Sequence, residues 1–355
     1  MEKLTLIASK RNWIDTRSVE TLQQLTTYKG ISSVVGLPDL SVGRVPNGMA
    51  LFCTNRIYPH LIGSDIGCGM ALFETKIKAK KIKTERFYKY LSKLDSLDAI
   101  EVESDVSGYN LGSIGKGNHF AELHRINHVH DSRLFDELGL SIESLYTLVH
   151  SGSRAFGQIV FDRVSGKYDP TQGMESSSNE AQEYLASHHQ AISYAKQSRA
   201  VIAKKLLKAI KIGDRPSLVS DTAHNSIIKY KQGWLHRKGA TPTDQGAVII
   251  AGSRGSLSYL VMPSSDTTLS NYSLAHGAGR KWERSSAQAK LKNRYTKSDL
   301  LTTAIGSRVI CEDKKLLYEE ASEAYKNIDI VIDDLVEAGL ATIIASFKPI
   351  LTYKE

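Results

Sequence analysis

Gly63-Ser64-Asp65-Ile66-Gly67-Cys68-Gly69 sets a carboxylate and a thiol three residues apart, with glycines on both sides. Glycine lets a backbone turn tightly and approach a ligand closely. Asp65 and Cys68 aimed at one point begin a metal site without completing it, because a catalytic metal takes about three protein ligands. Three imidazoles in marked settings can supply the rest: His119 after Asn118, His150 in His150-Ser151-Gly152-Ser153-Arg154, and His224 before Asn225. Together they make one carboxylate, one thiolate and three imidazoles. A thiolate can bridge two cations, so the set can hold two metals. Ligand softness ranks zinc first, with cobalt, iron and manganese behind. Read singly, each histidine is more often a hydrogen-bonded core or loop residue. The glycines and amide groups beside them shift the balance towards ligands.

A second chemistry is written in Gly152-Ser153-Arg154, Ala251-Gly252-Ser253-Arg254 and Gly277-Ala278-Gly279-Arg280. Small residues expose backbone amides, and a guanidinium can clamp phosphate oxygens in bidentate fashion. Each alone reads equally as a turn. Three together, with the basic run Trp234-Leu235-His236-Arg237-Lys238-Gly239, point to a polyphosphate or RNA ligand. The chain has neither a P-loop nor a dinucleotide fingerprint, so a nucleotide site here is built differently. His276, in His276-Gly277-Ala278-Gly279-Arg280, reads as a nucleophile acting through a neutral ring nitrogen. If that turn opens a helix, Arg280 lies one turn on and reaches the same phosphates.

The elements that must carry these residues follow from apolar patterning. Residues 1–35 predict a strand and a helix, and Val34–Arg44 a loop. Met49–Cys53 and Met70–Thr75 predict strands flanking the Asp65 loop, and 77–96 a lysine-rich surface helix whose Lys78, Lys80, Lys81 and Lys83 face water. Leu111–Phe120 reads as a glycine-spaced loop passing into a strand from Ala121. Ser144–His150 is a buried-strand pattern that ends on its histidine, with a helix from Ala155 to Phe161. Asn179–Ile210 is a long helix with Tyr184, Ala191, Ala195, Ile202 and Leu206 on one face. Strands are expected at Gly246–Ile250, Tyr259–Met262 and Ala341–Ile344, and one helix over Leu316–Leu340 with Gly339 as terminator.

Bulk properties bound the rest. A chain of 355 residues, 41% hydrophobic and 24% charged, has the composition of a globular protein with a large core. An excess of 46 basic over 38 acidic residues, +8, is compatible with a polyanionic partner and diagnostic of none. Cys53, Cys68 and Cys311 are an odd number at no disulfide-like spacing, which suits a reducing compartment. The stretch Met1–Ile7 is too short and charged for a signal peptide, and no apolar run approaches the ~20 residues that span a bilayer. A cytoplasmic location without membrane association is the expectation.

Seven motifs in order resemble the RtcB family of GTP-dependent RNA ligases: Gly63–Gly69, Gly117–Glu122, His150–Arg154, Asp221–Asn225, His236–Ala240, His276–Arg280 and the terminal Lys354. The resemblance covers nearly the whole chain. It implies one compact α+β domain over 1–355, with mixed sheets around a central metal and nucleotide cleft and flanking helices. It implies two Mn²⁺ ions, against the softness ranking: Asp65 and His119 on one, His150 and His224 on the other, Cys68 between. GTP would react with His276, and the GMP would pass to an RNA 3′-phosphate, itself often made from a 2′,3′-cyclic phosphate. A 5′-hydroxyl would then expel it. Positions matching nucleotide contacts are Asn118, His119, Phe120, Ala121, Glu122, His224, Asn225, Ala251, Gly252, Ser253, Arg254, Ser258, His276, Gly277, Ala278, Gly279, Arg280 and Lys354. Glu122 and Lys354 suit guanine by chemistry.

Three segments depart from the family pattern: Pro38-Asp39-Leu40-Ser41 lacks the usual histidine, Ser198-Arg199 stands for Asn-Arg, and Ala251–Arg254 for Pro-Gly-Ser-Met. This short, divergent pattern is similar to the branch coupled to peptide chain release factor H, which would put damaged ribosomal RNA or tRNA among the substrates. Two other readings keep part of the machinery. A metal phosphohydrolase opening cyclic phosphates needs the ligands but not His276. A metal-stabilised RNA-binding protein needs neither catalysis nor GTP.

Overall fold

Ala71-Leu72-Phe73 and Leu145-Tyr146-Thr147-Leu148-Val149 are buried at every position, as strands covered on both faces must be. A computed structural model describes residues 3–102, 111–213 and 215–355; Met1 and Glu2 of the N-terminal stretch read above lie outside them. The fold is α+β. Its large sheet runs Val248–Ile250, Ser258–Pro263, Ala341–Lys354, Phe120–Val129, Ser144–Ser151, Gly69–Lys78, Ser217–Ala223 in spatial order, with Arg308–Cys311 parallel to the terminal strand. A second sheet runs Leu4–Leu6, Ile31–Ser41, Asn47–Cys53, Gly233–Lys238, Asn225–Tyr230. The chain crosses from one sheet to the other through a single residue, His224.

Period-two alternation divides the large sheet's faces. Ala71, Phe73, Leu145 and Val149 pack under Ile202, Ala203 and Leu206 of the long helix Asn179–Ala209. Met70, Leu72, Tyr146 and Leu148 pack on the opposite side with Ile249, Leu260 and Phe347. The helix starts where Ser178 caps it, its hydroxyl accepting from the Ala181 N–H at 3.2 Å. Ile202 and Leu206 have no exposed surface, and burial of each contributes about 1.5–3 kcal/mol.

The helix also reaches the functional loop. Arg199 donates through Nη1 to the carbonyls of Gly67 and Ser151, both at 2.8 Å, and through Nε and Nη2 to Asp221 at 2.9 and 2.6 Å. Gly67 has φ +71°, and a Cβ there would stand 2.9 Å from the Ile192 backbone, so this turn admits glycine alone.

Four elements differ from expectation. Ile31–Ser41 is a strand, not a loop. Gly36 leaves room for Leu6 and Leu22, and Pro38 falls where the register with Asn47–Cys53 shifts, so no ladder N–H is missing. The last strand is Ala341–Lys354, because Pro349 also sits at a register shift. Only Thr84–Leu91 is an α-helix within 77–96: the chain still pairs at Lys78, and Lys78 and Lys80 hold Glu143 at the surface. The helix expected over 316–340 is broken into Lys314–Glu319 and Ile328–Glu337. Between them, the Ala324 carbonyl and the Lys326 N–H bond to the chain at 279–282.

Replacing Arg199 by Met removes one partner of a buried pair and leaves Asp221 uncompensated. The loss expected is about 3–5 kcal/mol, read as a lower urea midpoint with an unchanged denaturant slope.

Candidate active site

Register brings the chemistry to one end of the large sheet. Gly69, directly after Cys68, pairs with Ser151 and Ala223, the neighbours of His150 and His224. Phe120, directly after His119, pairs with His150. Tyr353, directly before Lys354, pairs with Ala121. The residue after Ile250 and the residue at the start of Ser258–Pro263 belong to the same end. All five expected metal ligands therefore meet, although four separate stretches supply them.

Cys68 Sγ lies 3.1 Å from His150 Nε2 and 3.3 Å from His119 Nε2. His150 Nε2 lies 3.4 Å from His224 Nε2, and His119 Nε2 lies 3.2 Å from Asp65 Oδ2. The ligating atoms of Cys68, His150 and His224 fall within 4.8 Å of one another, as do those of Asp65, Cys68 and His119. Two donor groups share one sulfur. His150 Nδ1 stands 3.1 Å from the Asn118 carbonyl. That oxygen can only accept, so Nδ1 carries the proton and Nε2 is left as a lone pair, the arrangement a metal-bound imidazole needs. Gly152 lets Asp65 approach, since a Cβ there would collide with Oδ1. The residues fit a divalent metal.

Electrostatics agree with that reading. Burial pushes the His150 and His224 imidazoles well below their ordinary value, so both are neutral at physiological pH. Burial raises the Asp65 carboxyl, but the neighbouring His119 and Lys238 outweigh it and hold the group below the usual carboxylate range. Burial, and then Asp65, push the Cys68 thiol well above its ordinary value.

Beside this cluster opens a cavity of about 950 Å³. Its wall includes Asn118, Phe120, Glu122, Asn225, Ala251–Arg254, His276–Arg280 and Lys354. His276 packs on His224 with ring centroids 4.6 Å apart. Its Nδ1 meets Asp39 Oδ2 at 2.6 Å, and its backbone N–H donates to the same oxygen at 3.1 Å. The Asp39 carboxylate accepts the Nδ1 proton, so in the neutral ring Nε2 is the nitrogen with the free lone pair, as a nucleophilic imidazole needs.

Glu122 is held from behind: Oε1 accepts from the Thr352 hydroxyl at 2.6 Å, and Oε2 lies 3.0 Å from His124 Nε2. Lys354 Nζ donates to the His119 carbonyl at 2.8 Å. Asn225 ties the metal loop to the cavity floor, donating to the Asp65 carbonyl at 3.1 Å and accepting from the Gly239 N–H at 2.9 Å.

Some expected contacts sit elsewhere. His119 stands in the cluster with Asp65 and Cys68 and does not line the cavity, and Ala121 and Ser258 are buried outside its wall; Ser258 Oγ accepts from the Gly252 N–H at 3.1 Å and so shapes the loop. No helix opens at Arg280, which forms an isolated bridge with Tyr325. Its guanidinium is committed to Glu320 at 3.0 Å and to the Glu319 carbonyl at 2.8 Å, not free for phosphate. Arg154, expected at an anion site, instead places Nη1 3.2 Å from His119 Nδ1. Sequence reasoning missed Asp39 as the partner of His276. The available signal was a lone carboxylate inside the apolar run Val34–Leu40, since a buried charge requires a partner.

At pH 8 the buried His150 and His224 imidazoles need lose no proton to bind a cation, whereas Cys68 must. Uptake of a divalent metal should release a proton, and affinity should rise with pH. Titration calorimetry in two buffers of different protonation heat measures the release, and Cys68→Ser should weaken binding and abolish the proton release.

The sequence model of the family described as "RtcB: tRNA-splicing ligase RtcB" matches residues 90–355. The chain is 44% identical to RNA-splicing ligase RtcB2 of Escherichia coli, over 98% of this chain and 94% of that protein. It is 28% identical to tRNA-splicing ligase RtcB of Archaeoglobus fulgidus over 94% and 90% of the two chains, and 31% identical to its Nanoarchaeum equitans namesake over 75% and 64%. On matched length and identity, this chain belongs to the RtcB family of tRNA-splicing ligases.

Proposed function

We propose that this chain is an RNA ligase that joins 3′-phosphate or 2′,3′-cyclic phosphate ends to 5′-hydroxyl ends, with His276 carrying GMP between GTP and RNA. One observation carries the reading. An imidazole whose Nδ1 is fixed by Asp39 at 2.6 Å stands in one cavity with, and 4.6 Å by ring centroids from, a histidine of the five-ligand cluster. A phosphohydrolase or an RNA-binding protein would not require an imidazole nucleophile at this position. The whole chain, 1–355, acts as one catalytic domain, since the cavity draws on residues from Ser41 to Lys354.

The residues divide the work. His276 Nε2 attacks the α-phosphorus of GTP; an N–P bond forms, a P–O bond breaks and pyrophosphate leaves. Asp39 stabilises the positive charge that develops on the ring. The RNA 3′-phosphate then takes the GMP from His276, and a 5′-hydroxyl oxygen attacks the activated end and releases GMP. Asp65, Cys68, His119, His150 and His224 would hold two manganese ions, which polarise phosphoryl oxygens and offset leaving-group charge. Glu122 suits the imino and amino hydrogens of guanine as an acceptor, with Lys354 as the matching donor. The Ala251–Arg254 and His276–Ala278 backbones line the phosphate side.

The finer assignment, service with peptide chain release factor H on damaged tRNA or ribosomal RNA, is supported by the short chain and by its divergent segments at 38–41, 198–199 and 251–254. No helix among the described residues is long and apolar enough to cross a membrane.

Incubation with manganese and GTP labelled at the α-phosphate should leave an acid-labile, alkali-stable label on wild-type protein and none on His276→Ala. Equal labelling of the two, or ligation independent of GTP, rejects the mechanism. Asp39→Asn should slow labelling by on the order of 10²–10⁴-fold, because an amide cannot hold the same tautomer with the same charge.

A further inference from the structure

The strand Ile31–Ser41 loses its register with Asn47–Cys53 between Gly36 and Ser41. Bulges of this kind re-aim a side chain beside a site, and here the side chain re-aimed is Asp39. The irregular stretch turns its carbonyls away from the ladder, and they need other donors. Lys326 supplies them: its ammonium donates to the Pro38 carbonyl at 3.0 Å and to the Leu40 carbonyl at 2.7 Å, one on each side of Asp39. Asn12 adds a donor to Pro38 at 2.9 Å while also bonding Asp334 at 2.6 Å.

The other end of Lys326 is fixed as well. Its backbone N–H donates to the Gly279 carbonyl at 3.0 Å, within the His276 turn. A closed circuit results: His276 to the Asp39 carboxylate, the carbonyls flanking Asp39 to the Lys326 ammonium, the Lys326 backbone to Gly279, and the chain back to His276. Lys326 is buried and is not itself part of the cavity wall. Burial lowers its ammonium to about 8 against the pull of Asp39 and Asp334, so it remains a charged donor at neutral pH.

We propose that Lys326 is a positioning residue for the nucleophile: by holding the bulge around Asp39, it fixes which ring nitrogen of His276 is free to react. Without it, the Leu40 carbonyl loses its ammonium donor and the Pro38 carbonyl is left with Asn12, and the bulge can relax towards regular pairing. A one-residue slip of register turns a side chain to the other face, which would take the carboxylate away from Nδ1. The inference rests on the reading of His276 as the nucleophile for its kinetic consequence, but not for its structural one.

The test uses full-length protein with ¹⁵N-labelled histidine. His276 is assigned by comparison with His276→Asn, and labelling kinetics with α-labelled GTP are measured in parallel. Wild type should show a protonated Nδ1 and an unprotonated Nε2. Lys326→Met should shift both ring signals towards a tautomer mixture. It should also slow labelling at saturating GTP by roughly 10- to 100-fold, the range seen when an imidazole loses its outer partner, with the KM for GTP within about twofold of wild type. Unchanged ring signals, an unchanged rate, or a KM that rises in step with the loss would each overturn the proposal. Should Lys326→Met not fold, Lys326→Gln, which keeps a donor for one carbonyl, is judged by the same criteria. If wild type takes up no label, the proposed function fails, and the ring signals of the lysine variant alone decide this inference.

Discussion

One guanidinium with no exposure to solvent holds the site together. Donors from four stretches must meet at distances near 3 Å, and nothing in their mutual attraction achieves that before a cation arrives. Arg199 ties the backbone of the Cys68 loop, the backbone beside His150 and the strand leading to His224 to one rigid helix. Burying such a charge costs several kcal/mol of hydration, and Asp221 and the two carbonyls must offset it. The return is geometric: side chains far apart in sequence are held where their lone pairs converge.

Charge at that point is arranged by burial more than by pairing. Neutral His150 and His224, an ionised Asp65 and a protonated Cys68 leave the cluster with little net charge before loading. His276, immediately beside it, is handled differently. It receives a carboxylate on Nδ1. His150 and His276 thus each have an acceptor fixed at Nδ1. The Asn118 carbonyl does for His150 what Asp39 does for His276.

The cluster of Asp65, Cys68, His119, His150 and His224 was legible in the chain because each residue sits in a local motif whose glycines and amides advertise it. The long helix and its buried face were legible because 31 residues give periodicity room to show. Proline and glycine misled. At Pro38 and Pro349 they mark shifts of register inside long strands, where no ladder donor is required, and not the breaks that local punctuation implies. The helix expected over 316–340 failed for a tertiary reason: its middle pairs with the His276 turn, a contact between distant segments that no local pattern encodes. Arg280 looked like a phosphate clamp until its partner Glu320, forty residues on, was placed. Asp39 was hidden for the same reason, being local to nothing but its own apolar run.

The passage of the chain through His224 has a consequence for how this protein can vary. Ala223 ends a strand of the large sheet and Asn225 begins a strand of the other, so no slack exists on either side of the histidine. An inserted or deleted residue there could not be absorbed in a loop; it would present a different side chain at the junction and misalign one sheet against its neighbour. Lineages of this architecture are therefore free to lengthen or trim their surface connections while the spacing across this joint stays frozen.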